Sequence, residues 1–254
     1  MTIAAPPLSV GTRMLVLARL LTLQGSYNYE TMIGNGIAFA IEPALRLLPG
    51  GRGGEAYCAA LARQSRYFNA HPYLAAVAVG ALARAELSLE NLERIERFRT
   101  AACGPLGSVG DRLVWAAWLP LCSLIALLTF GLGASPFMVV AVFLGTYNVG
   151  HLALRIWGLN VGWSDGLAVA PALSTPLFRR GPLMLTRVAA VVGGVAIPLA
   201  LARSAGASPL GVFIIGGVGA AGAVMLGLTQ GRVQGWRVSL ALLIVAGVAA
   251  MVLR

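Results

Sequence analysis

Three polar runs interrupt an otherwise apolar chain, and their residue types set what chemistry is possible. Residues 24–36 read Gln-Gly-Ser-Tyr-Asn-Tyr-Glu-Thr-Met-Ile-Gly-Asn-Gly, between apolar Leu15 to Leu23 and Ile37 to Leu48. Buried amides and carboxylates lose hydration, so Gln24, Asn28, Glu30 and Asn35 are expected to bond to backbone, to one another or to a ligand. The alternative is a loop at the membrane surface. A second run, Tyr67-Phe68-Asn69-Ala70-His71-Pro72-Tyr73, opens another apolar segment, and a third, Gly104 to Asp111, places an aspartate at the mouth of the next one. Donors and acceptors at such breaks suit recognition of a hydroxyl-rich solute.

Other chemistries lack their residues. No Ser/His/Asp or Cys/His arrangement is visible, and no metal-ligand spacing exists, so no catalytic residue, metal or cofactor is expected. The glycine-rich 104–111 lacks the Lys-Ser/Thr ending of a phosphate loop and follows no strand. His71 and His151 are the only histidines. A histidine in a membrane segment is a functional hypothesis by default, against the alternative of an ordinary hydrogen-bonded one. Asn148, His151 and Arg155 fall at helical spacing and could share one polar stripe, for which a helix-packing stripe or an interfacial snorkelling arginine is favoured over a functional one.

The elements that must position these residues belong to a membrane protein. The 254 residues are 58% hydrophobic and 11% charged, with a net charge of +10. All 19 basic residues are arginine. In a soluble protein that surplus would suggest nucleic acid; here arginines in cytoplasmic loops facing anionic headgroups explain it, and no nucleic-acid partner is expected. Of the nine acids, only Asp165 lies beyond residue 112. This divides the chain into an N-terminal region, 1–112, with re-entrant segments and a charged cytoplasmic helix, and a transmembrane helical core, 113–254. Cys58, Cys103 and Cys122 show no CxxC spacing and are expected to be small buried residues. Met1 to Val10 has no basic n-region and contains two prolines, so insertion is expected to use internal spans.

In chain order, residues 14–23 suit an amphipathic or partly inserted helix, too short for the roughly 20 apolar residues a bilayer crossing takes. Pro49-Gly50-Gly51-Arg52-Gly53-Gly54 is a surface turn. A helical pattern over Glu55 to Tyr67 delivers the second polar run to Leu74 to Leu82, again short for a span. Two short apolar segments, each preceded by an interrupted polar run, suggest re-entrant elements. Arg84 to Arg99 reads as a solvated charged helix with Glu90–Arg94 and Glu93–Arg97 pairs, and 104–111 as a loop. Five spans follow, near 113–132, 136–158, 187–203, 209–229 and 236–253. Arginines at 179, 180, 187, 232 and 237 mark the cytoplasmic connectors, while those near 133–135 and 204–208 are almost uncharged. The fold class is an all-α integral membrane protein, with short re-entrant or amphipathic helices followed by about five transmembrane helices. Clustered glycines at 193–194 and 216–219 are expected to pack against other helices or another subunit.

Four blocks in order then carry a family resemblance. They are Gln24-Gly25-Ser26-Tyr27-Asn28-Tyr29-Glu30 with Met32 and Gly36; Phe68-Asn69-Ala70-His71-Pro72-Tyr73; Gly104 to Asp111 with Trp115; and Asn148-Val149-Gly150-His151 through Arg155-Ile156-Trp157-Gly158. Together the blocks resemble subunit IID of the mannose/fructose/sorbose family of bacterial phosphotransferase-system sugar transporters. The resemblance implies a multi-pass subunit of the bacterial cytoplasmic (inner) membrane. It would pair with a IIC membrane subunit to form the sugar pathway, in a higher oligomer of IIC–IID pairs, while cytoplasmic IIA/IIB phosphocarriers supply phosphate. Subunit IID itself is not phosphorylated. Gln24, Asn28, Glu30, Asn69, His71 and Asp111 are the positions placed near the sugar or the IIC interface. This chain departs from the family pattern at Glu86-Leu87, where a Glu-Glu pair is common, and at Leu119 before Pro120, where an arginine is frequent. Its connector at Ser204 to Ser208 is also shorter than the usual polar insert. A non-transporting docking or regulatory subunit for IIA/IIB proteins is the second reading.

Overall fold

The computed structural model describes residues 4–204 and 209–228, with 237 and 241. The described chain is helical, its extended pairing limited to isolated bridges Asn28–Met32 and Met32–Phe68. The helices are α1 (Val10–Leu20), α2 (Gly34–Leu45), α3 (Glu55–Gln64), α4 (Ala75–Leu87), α5 (Leu92–Gly110), a π-helical segment (Asp111–Trp118), α6 (Leu119–Gly131), α7 (Pro136–Asp165), α8 (Ala170–Leu173), α9 (Pro176–Ser204) and α10 (Pro209–Leu228). Three continuous helical stretches, Leu92–Gly131, Pro136–Ala168 and Ala170–Ser204, are long and apolar enough to cross a bilayer. They contain the first three expected spans. The fourth coincides with α10, and most of the fifth, with the connector beyond Ser204, lies outside the described residues.

The chain forms two compact units. One joins the segment up to Trp115 with Asn148–Gly181. Its centre is α4, in which every residue except Arg84 is buried. A sequence of Ala, Val, Leu and Gly with almost no polar face has no solvated side to offer, so α4 must be surrounded. Glycines permit the closest approach: a Cβ at Gly80 would overlap the Leu159 carbonyl, and one at Gly162 would overlap that of Val77. The backbones of α4 and α7 therefore meet directly, the small-residue packing of membrane helices. α2 lies against α1, α3 and α4.

Two sequence expectations are corrected in this unit. The charged stretch 84–99 is not one solvated helix. α4 ends at Leu87, a turn with Leu89 at φ 51° follows, and Asn91 caps α5 by accepting from the Glu93 N–H at 2.8 Å. Glu86 and Arg99 are buried, at 4% and 3% exposure. The Glu90–Arg94 and Glu93–Arg97 pairs form as expected, at 3.0 and 3.8 Å. Residues 104–111 are not a loop: α5 runs through Pro105 to Gly110 and passes into the π-helical segment without a break. Apolar partners outweighed the glycine signal, since Ala102, Leu106 and Leu113 are buried on this stretch.

The second unit joins Ala116–Tyr147 with the chain from Pro182 onward. The glycine expectation holds here, for a Cβ at Gly219 would overlap the Gly194 carbonyl. Arg203 donates to the carbonyls of Phe130 and Ala134 and lies 4.5 Å above the Phe130 ring, closing the end of α6. Cys122 is buried as expected, whereas in the first unit the expectation is corrected, Cys58 being exposed and Cys103 half-buried.

Candidate functional site

The first two polar runs are joined backbone to backbone. Asn28 folds its own run: its Oδ1 accepts from the N–H groups of Glu30 and Thr31 at 2.9 and 2.8 Å, and its Nδ2 donates to Thr31 Oγ1 at 2.8 Å. Such local bonding is what Asn side chains do best outside helices. It turns the chain so that Met32, at φ 53°, reaches the second run. Ile33 N–H then donates to the Phe68 carbonyl at 3.0 Å, and Phe68 N–H to the Thr31 carbonyl at 3.2 Å. Phe68 is fully buried beneath the junction.

A buried polar network fixes the second run from behind. Arg63 forms a two-point pair with Glu86, at 2.9 and 2.7 Å, and Gln64 donates to the same carboxylate at 2.6 Å. Arg99 donates to Gln64 Oε1 and to the carbonyls of Arg66 and Tyr67, the latter two at 3.0 and 3.3 Å. Every charge in this network has partners of good geometry, the condition under which burial is tolerated. Neither Arg99 nor Gln64 stands out in the sequence: the charge run masks Arg99, and Gln64 is a lone amide at the end of α3. One signal was available, the i, i+4 spacing of Ile95 and Arg99, which puts the arginine on the apolar side of α5.

His71 occupies the heart of the arrangement. It is 1% exposed, and its N–H donates to the Leu106 carbonyl of α5 at 3.4 Å. The ring Nδ1 accepts from the Tyr73 N–H at 3.2 Å, so in the neutral ring Nε2 carries the proton. Nε2 is buried and has no acceptor among the described residues. Around the ring stand Tyr73 and Trp115, with centroids at 4.9 and 4.8 Å. Trp115 comes from the π-helical segment, a backbone form often found at functional sites.

The stripe on α7 completes the cluster. Tyr73 stacks on His151 at 4.2 Å and lies 4.9 Å beneath the Arg155 guanidinium. Arg155 Nε donates to His151 Nε2 at 2.8 Å, which leaves His151 Nδ1 to donate to Asn148 Oδ1 at 3.2 Å. Arg155 also donates to the Leu20 carbonyl at the end of α1. The stripe thus packs helices, one of the two forms of the favoured reading, and also borders His71 through Tyr73.

The six candidate residues therefore have different surroundings. His71 is central, and Asn28 is committed to its turn. Asp111 is exposed, immediately after Gly110, which abuts His71. Asn69 is exposed, its backbone N–H donating to Cys103 Sγ at 3.4 Å. Gln24 and Glu30 are exposed on the first run.

The helical spans, and the buried hydrogen-bonding cluster within the first unit, define a polytopic membrane protein. The chain belongs to the mannose/fructose/sorbose family of phosphotransferase-system IID components, whose family profile matches residues 8–229. It is accordingly a protein of the bacterial inner membrane. It is 29% identical over 177 residues to the mannose-specific EIID component of Escherichia coli K12, covering 67% of this chain and 59% of that one. It is 29% identical to the fructose permease IID component of Bacillus subtilis over 67% of this chain and 61% of that one. The sorbose-specific EIID component of Lacticaseibacillus casei is likewise 29% identical, over 67% and 59%. The matched part thus spans about three fifths of these curated relatives. Among solved structures, one described as a membrane protein matches with TM-score 0.64 and 25% identity over 74% of this chain and 70% of that one. The mannose transporter ManYZ in complex with microcin E492 matches in fold, with TM-score 0.57 and 19% identity over 96% and 97%.

Proposed function

We propose that this chain is the IID half of a sugar permease, working with a IIC subunit to take up a mannose/fructose/sorbose-class sugar while IIB phosphorylates it. The observation that carries this reading is the buried His71 Nε2–H, a donor without an acceptor among the described residues, held where two polar runs meet. A buried orphan donor is costly unless a ligand or water completes it, and a sugar hydroxyl is an acceptor of the right kind. The ring of Trp115, 40% exposed beside His71, suits the apolar face of a pyranose ring. Asn69, Asp111, Gln24, Asn28 and Glu30 are assigned to the sugar route or to the surface that meets IIC. Family membership and the fold shared with a transporter chain support the partnership with IIC, the oligomer of IIC–IID pairs and the service of IIA/IIB phosphocarriers.

Uptake of labelled sugar by cells carrying this chain with its IIC and IIB partners tests the proposal. Uptake that depends on this chain is expected, with Asn69→Ala and Asp111→Ala lowering it without loss of membrane assembly. Absence of uptake with IIB binding retained would establish the docking or regulatory reading instead.

A further inference from the structure

A second polar cluster lies outside the His71 site, where α1, α2 and α3 meet. Its hub is Glu42, 7% exposed. Glu42 Oε1 accepts from Arg46 Nε at 2.8 Å and from the Tyr57 hydroxyl at 2.9 Å; Oε2 accepts from Arg46 Nη2 and Arg19 Nη1, both at 2.7 Å. A carboxylate offers about four lone-pair positions, and these four bonds use them. Arg52 arrives as a surplus cation. Its Nε stands 3.9 Å from Glu42 Oε1, beyond hydrogen-bond reach, and its side chain is 73% exposed. Three guanidiniums thus share one carboxylate. The remaining acid nearby in sequence, Glu55, is exposed at the start of α3 and joins no ion pair among the described residues.

The surplus charge faces a groove of about 650 Å³, whose walls include Arg19, Phe39, Arg52, Tyr57 and Cys58. The backbone keeps Arg52 at its mouth, since Gly51 and Gly53 on either side adopt φ 61° and 93°, a turn most other residues resist. Arg19 is immobilised: besides Glu42 it donates to the Phe39 carbonyl at 2.9 Å and lies 4.4 Å over the Phe39 ring. Guanidiniums present planar forks of N–H donors matched to phosphate oxygens. Phe39, 49% exposed, adds apolar surface beside this charge.

We propose that this groove binds a phosphate-bearing anion, with Arg52 as the primary contact and the Glu42-held Arg19 as a fixed positive wall. The shared chemistry is the phosphate group, carried by an anionic lipid headgroup or by soluble phosphate. Cys58, exposed in the groove, reports its occupancy. The purified full-length chain in uncharged detergent is alkylated with N-ethylmaleimide, and the mass of the Cys58 peptide is followed with dioleoylphosphatidylglycerol, dioleoylphosphatidylcholine or inorganic phosphate.

Phosphatidylglycerol is expected to slow Cys58 labelling about three-fold relative to phosphatidylcholine, through occupancy of the folded state. Arg52→Gln removes the protection and retains the helical circular dichroism, because Arg52 makes no hydrogen bond to Glu42. Arg97→Gln, a change at another exposed arginine, leaves protection intact. Protection by inorganic phosphate as well assigns the site to soluble phosphate; protection by phosphatidylglycerol alone assigns it to a lipid headgroup. Equal labelling rates with all three additives, protection that survives Arg52→Gln, or protection lost equally in Arg97→Gln would overturn the site.

Discussion

Gly110 and His71 meet with no room between them: a Cβ at position 110 would overlap Cβ and Cγ of the histidine. Gly110→Ala is therefore expected to displace His71 or the end of α5, at a cost of about 1–3 kcal/mol or more. Gly107→Ala, where an added Cβ meets nothing, is expected to be neutral or to stabilise α5 by about 0.5–1 kcal/mol. Thermal unfolding in detergent compares the two; equal destabilisation would contradict the contact.

The orphan proton on His71 gives a second outcome. His71→Gln keeps a neutral side chain able to donate, whereas His71→Phe fills the volume without a donor. If a ligand accepts from Nε2, sugar affinity falls about ten-fold or more in the phenylalanine variant, the scale of one lost buried hydrogen bond, and glutamine recovers part of it. Equilibrium binding of labelled sugar to the assembled permease reads this directly.

Glu86 and the exposed charges on α5 separate by context. Glu86→Ala leaves the half-buried Arg63 and the buried Gln64 without their shared acceptor and is expected to cost about 3–5 kcal/mol. Arg97→Ala, whose side chain is 77% exposed in its pair with Glu93, is expected to cost less than about 1 kcal/mol. Chemical denaturation of the two variants distinguishes buried from surface pairing.

Acid sensitivity should trace to Glu42. The bonds from Arg46, and then those from Tyr57 and Arg19, hold its pKa down to about 2 against an ordinary 4.5, although burial works the other way. A lowered folded-state pKa means that the stabilisation is fully present above about 4.5 and is lost as pH falls toward 2. Glu42→Gln is expected to lower stability at pH 7 and to flatten the decline across that window. Unfolding midpoints at intervals between pH 7 and 2 test the sign.

Much of this arrangement is legible in the residues, because polarity is conspicuous in an apolar chain. The breaks at 24–36 and 67–73 stand out by composition, and the short segments beside them do form short helices. What the residues hide is pairing across distance. Arg99 sits among arginines and glutamates that face solvent, and only the fold shows that Gln64 and two carbonyls are waiting for it. The run at 104–111 misleads in the opposite direction. Glycine and proline usually signal a loop, but here the glycines serve close approach, and the helix continues because Leu106 and its neighbours are buried. The α7 stripe shows how one residue can hold two places at once: Arg155 ties down α1, and the same guanidinium covers Tyr73.

The burial of α4 also bears on how the protein is made. The helix is 13 residues long, too short to hold a transmembrane position alone, and its backbone meets that of α7 directly. Arg84 of α4 donates to the Trp163 carbonyl, 79 residues further along the chain. The first half of the protein therefore emerges from the ribosome before part of the surface that covers α4, and that packing is complete only once α7 has been synthesised. Biogenesis of the N-terminal unit is in this sense completed from its C-terminal side.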